Sequence, residues 1–259
     1  MRRRLVIAAL LAFAALLGAG VAHGELSQKG NLRISFDGGF SPTSLPRDRP
    51  APVKINVDGE ISTTDGTHPP PLSRIEFALN RHGHLSTVGL PVCSSPRLQS
   101  TTTETALERC RPALVGRGHF GASVAFSTQP GIPASGTILA FNSIHDGRPA
   151  LLLHLYGTTP VRATFILALT ISHSGKGQFG TVLSAKIPTL AGGVGSVTKI
   201  DLEIGRNYTY KGRRRSYISA SCDAPSGFPG AVFPLAKGSF HFVDGRVIDT
   251  TLSRNCHVR

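Results

Sequence analysis

The sequence contains no tryptophan and only four tyrosines among 259 residues. Modules that hold sugars by stacking present exposed Trp and Tyr platforms, so this shortage counts against a carbohydrate binder of that kind. Acids are scarce as well, with 15 Asp and Glu against 28 Lys and Arg. Several of them adjoin glycine (Asp37, Asp58, Asp65, Asp146, Asp244), where a side chain typically bonds the local backbone of a turn. Few carboxylates are then left for acid–base chemistry. The G-x-S-x-G elbow and the H-E-x-x-H helix of common hydrolases are both missing. After the first two dozen residues no apolar run is long enough to span a bilayer as a helix. The four cysteines are never two to four residues apart, the spacing that structural zinc favours. Glycine and proline together make 47 of 259 residues, below the level that marks low-complexity chains.

What is present begins with Met1-Arg2-Arg3-Arg4, an apolar stretch from Leu5 to Gly20, and small residues around Ala22 and Gly24. A basic start, an apolar middle and a small-residue exit predict a secretory signal peptide over residues 1–24, cleaved near Ala22 or Gly24. Its removal takes three arginines and no acid, which lowers the formal charge from +13 to +10. In an oxidising compartment four cysteines predict two disulfides. Of the three possible pairings, Cys93–Cys110 and Cys222–Cys256 are favoured, because each closes a local loop within one block of sequence.

The stretch Ser135–Ile187 carries four apolar runs separated by turn signals. Val161, Ala163, Phe165, Leu167, Leu169 and Ile171 alternate with their neighbours at period two, the repeat that sends every second side chain to one face of a strand. Two of the runs are apolar on both faces and are read as central. Asp146-Gly147 and Asp244-Gly245 mark tight hairpins. Earlier strands are read at Leu32-Ile34-Phe36, Val53-Ile55-Val57 and Ile75-Phe77-Leu79, and a later one at Ile200-Leu202-Ile204. Between Cys93 and Cys110, Thr101 and Glu104 fit a capping box and predict one short helix, stopped by Pro112. The sum is an all-β chain: an antiparallel two-sheet β-sandwich over residues 25–259, with one short helix in a disulfide loop.

Two hexapeptides, Gly116–Gly121 and Gly175–Gly180, both satisfy G-x-G-x-x-G. Dinucleotide binding needs that motif between a strand and a helix, and here strands follow, so both are read as glycine-rich turns. His82 and His84 are placed for one side of an extended segment. As metal ligands they would need a third partner, for which Glu76 or His119 are guesses, so they are read as an exposed pair and no metal or cofactor is expected. The densest unusual patch runs from Tyr208 to Tyr217, with Lys211-Gly212 at a tight turn. Lys211, Arg213 and Arg215, with Tyr208 and Tyr210 beside them, form a candidate polyanion site through the planar fork of arginine. Arg214 is placed at the rim on the other side. Asn207-Tyr208-Thr209 is also a glycosylation sequon.

The segments Val92-Cys93 to Cys110, Gly136–Asn142, Gly180–Leu183, Arg213–Tyr217 and Phe233-Pro-Leu235 through Cys256 resemble exported proteins of unassigned activity from high-GC Gram-positive bacteria. That resemblance implies an envelope or extracellular location and no particular chemistry. The expected function is therefore a non-catalytic exported protein whose positive field binds anionic cell-wall polymers or acidic polysaccharide rather than specific nucleic acid. A secreted hydrolase or sugar-binding β-sandwich, with a site assembled from distant residues, is the alternative.

Overall fold

The computed structural model describes residues 24–125, 131–189 and 191–259. Apart from Gly24, the expected signal peptide lies outside the described residues. The described chain is mostly β. Thirteen strands, numbered along the chain, form one sheet. Across it run β1 (Glu25–Lys29), β2 (Leu32–Ser41), β5 (Lys54–Thr63), β13 (Gly195–Ile204), β8 (Leu114–Val124), β9 (Ile132–His145) and β10 (Arg148–Thr159). It continues through β11 (Ala163–His173), β12 (Phe179–Lys186), β6 (Leu72–Asn80), β17 (Gly230–Phe242), β18 (Val247–Val258) and β3 (Ser44–Leu45). Asp146 and Gly147 both take positive φ (48° and 71°) between β9 and β10, as a type I′ turn requires.

The expected two-sheet sandwich is corrected to this one continuous sheet, curled into a half-barrel so that its ends face each other. Phe36 on β2 stacks on Phe77 of β6 at 5.8 Å and meets Phe240 of β17 edge-on at 6.1 Å. Seven strands separate β2 from β6 in the sheet order, so only curling can bring these rings together. Each buried phenylalanine contributes roughly 1.5–3 kcal/mol, which makes the cluster a substantial clasp. Side chains also bridge the seam. Arg254 donates to the Gly38 carbonyl (2.6 Å) and pairs with Asp37, while Arg246 donates to Asn31 Oδ1 (2.8 Å). Period-two patterning reveals which face of a strand is buried. It does not reveal whether the ladder is interrupted, and a strongly twisted single sheet buries the same residues as two stacked ones.

The central strands are apolar on both faces because each face is covered. Ile138, Ala140, Leu151, Leu153, Leu169 and Ile171 point into the half-barrel. Leu139, Phe141 and Leu152 point outward, under Cys93, Leu98, Ala106 and Cys110. That outer layer holds two short helices, α1 (Ser95–Leu98) and α2 (Thr103–Cys110), where one was expected. Both expected disulfides are present, Cys93–Cys110 and Cys222–Cys256. The predicted cap is off by one residue. Thr102 caps α2 by accepting from the Thr105 N–H at 3.3 Å, and Glu104 falls one position short of a capping box. Thr101 is instead buried, its hydroxyl donating to the Leu98 carbonyl (2.7 Å) and lying 3.0 Å from His154 Nε2. His154 is fully buried on β10, and desolvation holds its pKa below the usual imidazole value.

The two glycine hexapeptides part company in the fold. Gly175–Gly180 forms the turn between β11 and β12 and runs into β12, as expected for a glycine-rich turn. Gly116–Gly121 is not a turn but the middle of β8. Its glycines serve close approach of backbone: a Cβ on Gly116 would lie 2.5 Å from the Glu203 carbonyl oxygen, and one on Gly118 would collide with the Asp201 carbonyl.

Candidate functional site

The basic patch folds as a hairpin of its own. β14 (Asn207–Tyr210) pairs with β15 (Arg213–Ser216) in a separate two-stranded sheet, closed by Lys211 and Gly212 at φ 50° and 72°. Glycine at the second position and a tolerant residue at the first make this another type I′ turn. The register sets Tyr208 opposite Arg215 and Tyr210 opposite Arg213. Directly opposed residues share a face, so these four side chains lie together. Thr209 opposite Arg214 and Asn207 opposite Ser216 occupy the other face.

The root of the hairpin is firmly tied. Arg206 donates to the carbonyls of Pro112 (2.6 Å) and Leu114 (2.9 Å), and the Tyr217 N–H donates back to the Arg206 carbonyl (2.8 Å). Tyr217 itself is fully buried, and desolvation pushes its phenol well above the ordinary value. On the tyrosine face lies the segment Ser86–Leu90. Tyr208 Oη donates to the Val88 carbonyl at 2.7 Å, and the Tyr210 ring covers Gly89 so closely that a Cβ there would overlap it. Gly89 also has φ +81°, so space and backbone both call for glycine.

Of the five residues singled out from sequence, three converge. Lys211 Nζ lies 5.5 Å and the Arg215 guanidinium 6.0 Å from the centre of the Tyr210 ring, both within cation–π range. Arg213 sits on the same face. Tyr208 belongs to the face as well, but its hydroxyl is committed to Val88. Lys211, Arg213, Arg214 and Arg215 are all exposed, and among the described residues none forms an ion pair. Five of the 25 Lys and Arg in the described residues pair with an acid, Lys54 with Glu203 (2.8 Å) and Lys237 with Asp249 (3.2 Å) among them, so the hairpin is set apart by four unpaired cations within five consecutive residues. Positive charge at the hairpin is therefore uncompensated at short range.

Sequence reasoning missed what lies behind the hairpin. An open cleft of about 590 Å³ runs between its second face and the small sheet of β4 (Ala51–Pro52), β16 (Ile218–Ala220) and β7 (Gly83–Leu85). Asn207, Thr209, Arg214 and Ser216 line it from the hairpin, with Tyr208 and Arg215, and Pro50, Pro52, Ser86 and Ser219 close the other side. Arg214, placed at the rim from sequence, is thus a wall of this cleft. Among the described residues the lining contains no carboxylate and no imidazole. Pro50, Ser86 and Ser219 come from three distant segments, and no local signal marks them.

His82 pairs with Asp223, Nε2 to Oδ2 at 3.0 Å, while His84 lies on β7 opposite Ser219. His119 lies far off on β8 opposite Asp201. Among the described residues no three His, Cys, Asp or Glu side chains are placed to share a metal ion. Ser196 and Lys199 have the spacing of a helical Ser/Lys nucleophile pair, but they lie on strand β13, where the buried Ser196 hydroxyl donates to the Pro69 carbonyl (2.6 Å). Among the described residues no helix is long and apolar enough to cross a membrane. The chain matches no model of a known protein family, no curated protein and no solved structure.

Proposed function

We propose that this is an exported, non-catalytic protein of the envelope or extracellular space that binds anionic surface polymers through the β14–β15 hairpin. One observation carries the reading: Lys211, Arg213, Arg214 and Arg215 gather on a single exposed hairpin, with no acidic partner among the described residues. Charges arranged in this way raise the local concentration of a polyanion and can each contact it without first breaking an ion pair. The basic, apolar, small-residue pattern of residues 1–24 supports export, and two disulfides are compatible with an oxidising destination. The cleft beside the hairpin offers guanidinium and hydroxyl donors but, among the described residues, no general base. Binding is accordingly preferred to hydrolysis.

The test is retention on heparin and on teichoic-acid matrices. Replacing Lys211, Arg213 and Arg215 together with serine is expected to leave stability within about 1 kcal/mol, because exposed charges contribute little. The same variant is expected to elute at distinctly lower salt and with a flatter salt dependence, since such contacts are screened over about 8 Å at physiological ionic strength. Elution at the parent's salt concentration would reduce the hairpin to a solvated tip.

A further inference from the structure

The cleft behind the hairpin has a chemistry that the exposed cations do not share. Its volume of about 590 Å³ falls in the range of small-molecule sites. Its polar wall is rich in donors. Arg214 and Arg215 bring guanidinium forks, and Thr209, Ser86, Ser219 and Asn207 bring hydroxyls and an amide. Two further hydroxyls are already committed, Ser216 to the Ile218 carbonyl (2.6 Å) and Tyr208 to Val88 (2.7 Å), which fixes the wall that carries them. The remaining side is formed by Pro50 and Pro52, rigid, apolar and without a π face.

These features select a ligand class. A cluster of donors around two guanidiniums calls for an anion with several outward oxygens, and phosphate presents more of them than a carboxylate does. Neutral hydroxyls and an amide beside the cations suit a neighbour that is itself hydroxylated. A nucleobase would call for an aromatic platform, and the one ring in the lining, Tyr208, belongs by register to the hairpin's other face. Proline walls suit an aliphatic chain.

We propose that this cleft binds a phosphate group carrying a polyol, of the glycerol phosphate type, with Arg214 as its principal anion ligand and Thr209, Ser86 and Ser219 reading the hydroxyls. The proposal rests on the polyanion-binding reading of the hairpin and adds to it a defined subsite on the opposite face. The same group occurs in soluble polyol phosphate polymers and in lipid headgroups.

Titration of the whole secreted chain with soluble glycerol phosphate oligomers, and separately with phosphatidylglycerol vesicles against phosphatidylcholine vesicles, tests it. The oligomer is expected to bind the parent, and Arg214→Gln is expected to weaken that binding at least tenfold. Thr209→Val, which keeps a strand-forming residue on β14, is expected to weaken it severalfold. Lys211→Ser, on the turn and outside the cleft, is expected to weaken it through the loss of one screened charge, and by clearly less than Arg214→Gln does. On heparin Arg214→Gln is expected to shift elution no more than Lys211→Ser does. Vesicle binding that is lost in Arg214→Gln, without oligomer binding, supports the site and assigns its source to a lipid headgroup. Heparin retention without binding of the oligomer or of phosphatidylglycerol vesicles overturns the cleft and leaves the hairpin reading standing, as does equal loss of oligomer affinity in Arg214→Gln and Lys211→Ser. Failure to bind heparin, oligomer and vesicles alike overturns both.

Discussion

Replacing Gly118 with alanine is expected to cost about 3–5 kcal/mol, a large fraction of the roughly 5–15 kcal/mol that stabilises a typical folded chain. Gly118 is in the middle of β8, paired with Leu202 of β13. A Cβ there would strike the Asp201 carbonyl and stand 2.8 Å from Leu202 Cα. Both obstacles are backbone, so no side chain can swing aside, and β8 and β13 would have to separate in the middle of the main sheet. Gly175 in the other hexapeptide supplies the control. An added Cβ would meet nothing within 4 Å, and its φ is outside the left-handed region. Gly175→Ala is expected to stay within about 0.5 kcal/mol of the parent. Denaturant midpoints of the two variants check the pair. Equal midpoints would mean that β8 and β13 are not packed as described.

Removal of the Cys222–Cys256 bridge is expected to have the next largest effect. Its 34-residue separation gives about 4 kcal/mol by loop entropy, against about 3 kcal/mol for the 17-residue separation of Cys93–Cys110. The two losses should also differ in kind. Cys222 and Cys256 belong to the core inside the half-barrel, where they join the segment after β16 to β18. Cys93 and Cys110 belong to the outer cluster and hold α1 and α2 over Phe141 and Leu152. The Cys222→Ala/Cys256→Ala double variant is expected to lower the global unfolding midpoint and to speed hydrogen exchange throughout. Its Cys93→Ala/Cys110→Ala counterpart is expected to expose residues 93–113 and the outer face of β9 and β10 first. Parent-like midpoints for both would contradict a structural role for the bridges.

Much of this arrangement was legible from residues alone, and the boundary between legible and illegible has a physical basis. Asp146-Gly147 and Lys211-Gly212 announce their turns because few residues other than glycine accept the second positive φ of a type I′ turn. Leu32, Ile34 and Phe36 announce a buried face because strand periodicity is local. The helix between Cys93 and Cys110 was legible as an element, but its cap was not. Thr101 and Thr102 are chemically equivalent, and only the contact with His154 decides which one turns inward. Single sheet against sandwich depends on pairings such as β5 with β13 and β6 with β17, between residues far apart in sequence. The glycines of Gly116–Gly121 look like those of Gly175–Gly180 because crowding by a neighbouring strand leaves no mark in the chain. The hairpin's cations could be found because they are contiguous. The cleft could not, since its far wall arrives from residues 50, 52, 86 and 219.

The central claim is that anionic polymers are held at the β14–β15 hairpin, and amide hydrogen exchange of the whole chain with and without a heparin oligosaccharide tests it most directly. Exchange reads every segment at once and needs no substitution. Protection is expected in residues 207–216 and in Ser86–Leu90, which packs against the tyrosine face, and is expected to vanish at high salt. The basic residues paired with acids, Lys54 and Lys237 among them, are expected to show none. Protection centred elsewhere, or none at a polymer concentration that saturates binding, would contradict the assignment.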